Sequence, residues 1–268
     1  MEQLVILLPL LLICGAVAGL LAGLLGVGGG IVIVPMLYHV FTFVGVDAAV
    51  VMPLAIGTSL ATIIVSSMMS ARGHHARGNV DLELVRRWFS GVVLGVLLGT
   101  WLGSALPGDA LRMVFGGFMS LVAIHMFVTS WRKLAVSDHL PGAWWQRVMA
   151  GGVGTVAAML GIGGGTLVVP LLNFFSYPMH RAVGSAAVVG MIVSVPAALG
   201  YIATGWGVAQ LPLGSTGYVN WLAFAALVPM TMLFAPQGVR LCQRLDVQRL
   251  RQVFAVVLLL VGLKMLLV

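Results

Sequence analysis

Ten predominantly apolar runs follow one another along the chain, separated by short polar stretches. They fall at about 4–25, 29–43, 48–71, 86–105 and 110–131, and again at about 147–161, 165–176, 181–204, 217–236 and 250–268. A helix of about 20 apolar residues crosses a ~30 Å hydrocarbon core, and a bilayer accepts only backbone whose polar groups are satisfied internally. The pattern therefore predicts membrane helices throughout. The first two runs of each set are joined through glycines rather than through a polar loop. As one straight helix, residues 4–42 would be ~58 Å long at about 1.5 Å per residue, roughly twice the core thickness. Each such pair must break or turn back, either as two short spans or as a re-entrant hairpin.

The two sets of runs are copies of one another. "GVGGGIVIVPML" from Gly26 to Leu37 returns as "GIGGGTLVVPLL" from Gly161 to Leu172. "AIGTS" from Ala55 to Ser59 aligns with "AVGSA" from Ala182 to Ala186, and "LRMVF" from Leu111 to Phe115 with "LRQVF" from Leu250 to Phe254. Matched blocks in one order signify duplication. Residues 1–134 form a first membrane repeat and 135–268 a second, together one transmembrane unit.

Charge decides how the copies are oriented. The 268 residues are 60% apolar and 8% charged, which excludes a soluble domain, and 14 Lys and Arg against 7 Asp and Glu give a net charge of +7. In a membrane protein such an excess belongs first to the loops that orient the spans, so nucleic acid is not a predicted partner. If each glycine pair enters and returns, the basic stretches at 72–87 and 237–251 lie on one side with Arg132, Lys133, Arg147 and Arg181; only Arg112 and Lys264 remain on the other. Single crossings would put those stretches on opposite faces, against the positive-inside bias. Five passes per half then insert the second copy upside down. The expected fold is an all-α integral membrane protein of two inverted-topology repeats, each a glycine-broken helical pair plus three transmembrane helices, in the bacterial cytoplasmic membrane with both termini outside. The first 25 residues carry no positive charge ahead of their apolar run, unlike a signal peptide, and are kept in the mature protein. Trp88, Trp131, Trp144, Trp145, Trp206 and Trp221 sit near the ends of runs, where the headgroup layer favours them.

Candidate chemistry concentrates at the breaks. Gly28, Gly29 and Gly30, with Gly163, Gly164 and Gly165, weaken a helix by about 1 kcal/mol each relative to alanine. A half-helix starting after such a break has unpaired N–H groups and a positive dipole end at membrane depth, which attracts an anion. Thr166 follows the second break and adds a hydroxyl; its counterpart Ile31 cannot. Thr58, Ser59 and Ser185 place further small hydroxyls in the third run of each half, either bonded back to the preceding turn or lining the same cavity. Asp47, Asp81, Glu83, Asp109, Asp138 and Asp246 all fall at run ends or in loops, leaving no mid-span carboxylate to repel an anion. His74 and His75 read as solvated loop residues, and His125 as a helix contact or a proton-coupling group. No metal-ligand spacing, nucleotide-binding loop or catalytic triad is evident, so neither a cofactor nor an enzyme is expected. Cys14 and Cys242 form no obvious pair.

The paired glycine blocks, the "RGNVD" turn at 77–81 and the stretch "GVLLGTWLGSALPGDALRMVFG" from Gly95 to Gly116 resemble the TauE/SafE sulfite exporter family, over essentially the whole chain. The resemblance implies a secondary transporter, exporting a small sulfur-containing oxyanion such as sulfite or an organosulfonate like sulfoacetate, with the glycine runs as the broken-helix positions. An anion channel and a membrane assembly or thiol-handling factor are the alternatives. The sequence leaves the oligomeric state open.

Overall fold

The computed structural model describes residues 2–25, 28–131, 137, 139–241 and 247–267. Arg132, Lys133, Asp138, Cys242, Arg244 and Asp246, which figure in the loops above, lie outside the described residues. Among the described residues ten helices follow the ten apolar runs: α1 (Glu2–Leu25), α2 (Gly30–Phe43), α3 (Ala48–His75), α4 (Leu82–Ala105), α5 (Gly108–Trp131), α6 (Ala143–Leu160), α7 (Gly165–Asn173), α8 (Met179–Thr204), α9 (Trp221–Leu241) and α10 (Val247–Leu267). Helices α3, α4, α8 and α9, with Gly108–Phe127 of α5, are long and apolar enough to cross a membrane. The protein is an all-α integral membrane protein. The β structure among the described residues is a two-residue antiparallel ladder, Ser215–Thr216 with Val219–Asn220, just ahead of α9. That ladder occupies the first residues of the run at 217–236 and displaces the helix start to Trp221.

Helices α3 and α8 form the centre, and they are the most deeply buried of the spans. They run antiparallel, with Gly57 beside Tyr201 and Gly190 beside Ser67. Around them the halves interlace. Helix α4 packs on α6 and α9 on α1, while α5 packs on its own counterpart α10. Glycine makes the first two pairs possible. A Cβ at Gly91, Gly95 or Gly99 would lie 2.3, 2.0 or 2.1 Å from the carbonyl oxygen of Arg147, Gly151 or Thr155 respectively, and Gly15, Gly19 and Gly23 meet Leu227, Thr231 and Ala235 in the same way. Both runs have the four-residue spacing of small residues by which membrane helices bring their backbones together.

These contacts also fix which ends coincide. The end of α1 lies beside the ends of α3 and α9, since His74 bonds the Gly23 carbonyl and Gly73 abuts Val239. Arg72, Arg77 and Arg240 are thereby gathered at one end, joined by Arg181, which is 4.0 Å from Asp81. At the opposite end, Arg112 is buried and donates to the Met265 carbonyl, capping the last turn of α10. Trp88 departs from the expected headgroup position: it is wholly buried, because it lies on the face of α4 that packs inward. Trp144, Trp145 and Trp206 are exposed.

Candidate functional site

Each glycine run ends one helix and starts the next. Gly28 and Gly29 have φ of 75° and 82°, and Gly161 and Gly163 have φ of 68° and 62°. Only glycine adopts this left-handed backbone cheaply, so the chain reverses there instead of continuing as a helix. Helix α2 returns along α1, bringing Gly29 against Ala18. The two breaks meet across the halves: a Cβ at Gly30 would lie 2.4 Å from the Gly161 carbonyl oxygen and 2.8 Å from Ile162 Cα. The structure thus brings Gly30 against Gly161 and Ile162, immediately before Gly163–Gly165, and all six glycines of the two runs are buried.

The first helical bonds of α2 are donated by Val32 and Ile33 to the Gly29 carbonyl; those of α7 are donated by Leu167 and Val168 to the Gly164 carbonyl. The N–H groups of Gly30, Ile31, Gly165 and Thr166 precede these ladders and make no hydrogen bond among the described residues. Unpaired donors at two helix starts, away from water, form a region of positive potential. Thr166 does not add to it, because its hydroxyl donates back to the Ile162 carbonyl at 3.2 Å.

Helix α3 braces the first break. Thr58, Thr62, Ser66, Ser70 and His74 recur every four residues along one winding stripe of this apolar helix. Ser66 donates to the Gly28 carbonyl at 2.9 Å, Ser70 to the Ala22 carbonyl at 3.0 Å, and His74 Nε2 lies 3.0 Å from the Gly23 carbonyl. These side chains satisfy carbonyls that the end of α1 leaves free. His74 is therefore a buried helix-end brace instead of a solvated loop residue, since α3 continues to His75. Ser59 reaches the second break, donating to the Gly161 carbonyl at 2.8 Å. The stripe's spacing is legible in the sequence; its partners, remote along the chain, are not.

Thr58 and Ser185 have another role. The Asn220 N–H donates to Thr58 Oγ1 at 2.9 Å, and the Asp81 N–H donates to Ser185 Oγ, also at 2.9 Å. The glycine before each hydroxyl makes room: a Cβ at Gly57 would lie 2.0 Å from the Tyr218 carbonyl oxygen, and one at Gly184 would lie 2.2 Å from that of Asn79. Asp81 and Asn220 each cap the helix that follows, accepting from Leu84 and Ala223 respectively. These are two equivalent latches, tying α3 to the loop before α9 and α8 to the loop before α4. Because α3 and α8 are antiparallel, the latches sit at opposite ends of the central pair. Both hydroxyls serve as acceptors there, so Thr58 and Ser185 tie helices of one half to loops of the other. The matching strings Gly78–Asn79–Val80–Asp81 and Gly217–Tyr218–Val219–Asn220 share only Gly and Val, and the correspondence is hard to see without the fold.

One latch is ionisable. Asp81 accepts a hydrogen bond from the Tyr177 hydroxyl and faces Arg181. Burial opposes its negative charge, but the Tyr177 hydroxyl, the N–H groups of Leu84 and Glu83 and the Arg181 charge together hold its pKa below the ordinary 3.8. Burial and the adjacent Asp81 carboxylate push the Tyr177 phenol up. Asn220 at the other latch is held by its amide alone, donating to the Leu213 carbonyl and to Ser215 Oγ. His125 stacks obliquely on Phe174, with ring centroids 4.9 Å apart, which places it in a helix contact. Among the described residues no group of three His, Cys, Asp or Glu could hold a metal ion.

A helical membrane bundle broken twice at its centre, with free backbone donors between the breaks, has the build of a membrane transporter. The chain belongs to the sulfite exporter TauE/SafE family, whose model matches residues 11–265. It is 31% identical over 259 residues to a "probable membrane transporter protein" of Haemophilus influenzae, covering 96% of this chain and 97% of that one. A protein of the same description from Methanocaldococcus jannaschii is 28% identical over 276 residues, covering 99% and 97%. Another from Bacillus subtilis, YunE, is 26% identical over 271 residues, covering 94% and 95%. No solved structure matches the chain.

Proposed function

We propose that the protein is a secondary transporter that exports a small sulfur-containing oxyanion, sulfite or an organosulfonate such as sulfoacetate, across the bacterial cytoplasmic membrane. The substrate binds near the midplane between Gly28–Gly30 and Gly163–Gly165, and alternating access exposes it to each side in turn. The observation that carries this reading is the meeting of the two breaks, with the unpaired N–H groups of α2 and α7 beside it. Donors without acceptors suit an anion. Described carboxylates such as Asp47, Asp81 and Asp109 lie at helix starts, away from the breaks. Family membership supports the sulfur oxyanion as cargo.

Antiparallel packing of α3 on α8 and of α5 on α10 supports inverted insertion of the two halves, since each helix there lies against its own repeat partner. Basic residues gathered at the joint end of α1, α3 and α9 support a cytoplasmic assignment for that end, with both termini outside. An inside-negative potential of about 100 mV then drives a monovalent anion outward by about 2.3 kcal/mol, enough for uncoupled export.

The test is thermal stabilisation of purified protein by sulfite, sulfate, sulfoacetate, taurine, acetate and chloride, alone and with Gly164→Leu. A ligand that binds the native state raises stability by RT ln(1+[L]/Kd). A shift selective for sulfite or sulfoacetate, lost in Gly164→Leu, together with saturable counterflow in proteoliposomes, is the expected result. No shift with any anion well above millimolar concentration overturns the oxyanion assignment, and voltage-driven conductance without counterflow replaces the carrier by a channel.

A further inference from the structure

We infer that Ser67 is the side-chain donor that selects the oxyanion, a contact the glycine backbone cannot supply. This rests on the site proposed above and adds a residue to it. The hydroxyls of Ser59, Ser66 and Ser70, on the same helix, are all engaged with backbone carbonyls at 2.8–3.0 Å. Ser67 is fully buried, and its Oγ has no hydrogen-bond partner. A buried hydroxyl without a partner is destabilising, so its presence beside serines whose hydroxyls are all bonded calls for a partner that comes and goes.

Its position is set by three elements. A Cβ at Gly28 would lie 3.2 Å from Ser67 Oγ, and a Cβ at Gly190 of α8 would lie 2.9 Å from it. That same Cβ at Gly190 would be 3.9 Å from the Gly164 amide nitrogen. Ser67 Oγ therefore lies where the first glycine turn, the second glycine run and α8 converge, and a side chain at 28 or 190 would crowd it. Ser66, one residue earlier, locks the Gly28 carbonyl and so fixes the turn against which Ser67 stands.

The chemistry separates two classes of anion. Backbone N–H groups and a helix dipole attract any small anion, chloride included. An additional hydroxyl at a fixed distance is matched by a polyatomic oxyanion, which offers several acceptor oxygens around one centre. A site built to hydrogen-bond a ligand oxygen loses affinity for that ligand when the donor is removed, and an oxyanion broad enough to bridge the N–H groups and the hydroxyl loses more than a halide held by the N–H groups alone. Ser67 would thus be a specificity-determining residue, with the glycine runs providing the charge-complementary floor.

The experiment uses the full-length protein, measuring apo melting temperature and the binding of sulfite, sulfoacetate and chloride by thermal shift for wild type, Ser67→Ala, Ser67→Gly and Ser66→Ala. Ser67→Ala is expected to leave the apo melting temperature unchanged or raise it, because it removes an unsatisfied buried group, while weakening sulfite about tenfold and leaving chloride within twofold. Ser66→Ala is expected to lower the apo melting temperature without changing the sulfite-to-chloride ratio. Wild-type affinity for sulfite retained in both Ser67→Ala and Ser67→Gly overturns the role of Ser67 and leaves the glycine site standing. A fall in apo stability with an unchanged ratio overturns it too, by showing Ser67 to be structural. A wild-type protein that responds to none of these anions removes the proposed site and this inference together.

Discussion

The Thr58–Asn220 and Ser185–Asp81 latches are built alike and differ in what holds them. In each, a glycine lets a loop carbonyl approach the central helix, the next hydroxyl accepts the N–H of a capping residue, and that residue starts a helix of the other half. At one end the cap is an amide, held by Leu213 and Ser215. At the other it is a carboxylate, held by Tyr177 and Arg181. The backbone geometry, which is sterically demanding, is the same at both latches, and the side-chain chemistry differs. One end of the molecule is closed by neutral hydrogen bonds and the other by charge-assisted ones, which are about twice as strong. The ends of a transporter need not open equally easily.

The comparison is broken most severely at the glycines. Gly57→Ala and Gly184→Ala should each destabilise the protein by about 3 kcal/mol, since the new methyl overlaps a carbonyl oxygen in both cases; detergent melting curves measure it. A large loss at only one position would show that the two loops are not equally rigid. Next in size, Asp81→Ala should cost about 2 kcal/mol and Asn220→Ala about 1 kcal/mol, the excess reflecting the lost Tyr177 and Arg181 contacts; Tyr177→Phe in the Asp81→Ala background should then have almost no further effect. Thr58→Ala and Ser185→Ala each leave a backbone N–H unpaired and should cost about 1 kcal/mol apiece, as read from melting midpoints.

Acidification gives the smallest effect and separates the latches by chemistry. The folded-state pKa of Asp81 lies below its ordinary 3.8, so the stability it contributes is present in full above that pH and fades as pH falls through the lower folded value. Neutral pH should leave both latches intact. As pH falls below 3.8 the wild type should lose a contribution that Asp81→Asn lacks, and a melting profile of Asp81→Asn that still falls with the wild-type slope there would assign the acid sensitivity to another group.

Helix number and the position of the glycine breaks were legible because each depends on local composition: a lipid-spanning run must be apolar, and a reversal inside it needs residues without a Cβ. What escaped was pairing between remote residues. His74 reads as a loop residue until the Gly23 carbonyl is known to lie 3.0 Å from its ring, and Thr58 reads as a cavity hydroxyl until Asn220 is seen to reach it. The offset between the copies is also not constant: Ala55 matches Ala182 but Leu111 matches Leu250, because the loop before α9 is longer than the loop before α4. A single alignment register therefore hides the correspondence of Asp81 with Asn220.

The glycine-stapled pairs α1 with α9 and α4 with α6 each join one helix from either half, backbone to backbone. A rotation of residues 1–134 against 135–268 as two solid pieces would therefore shear both staples at once.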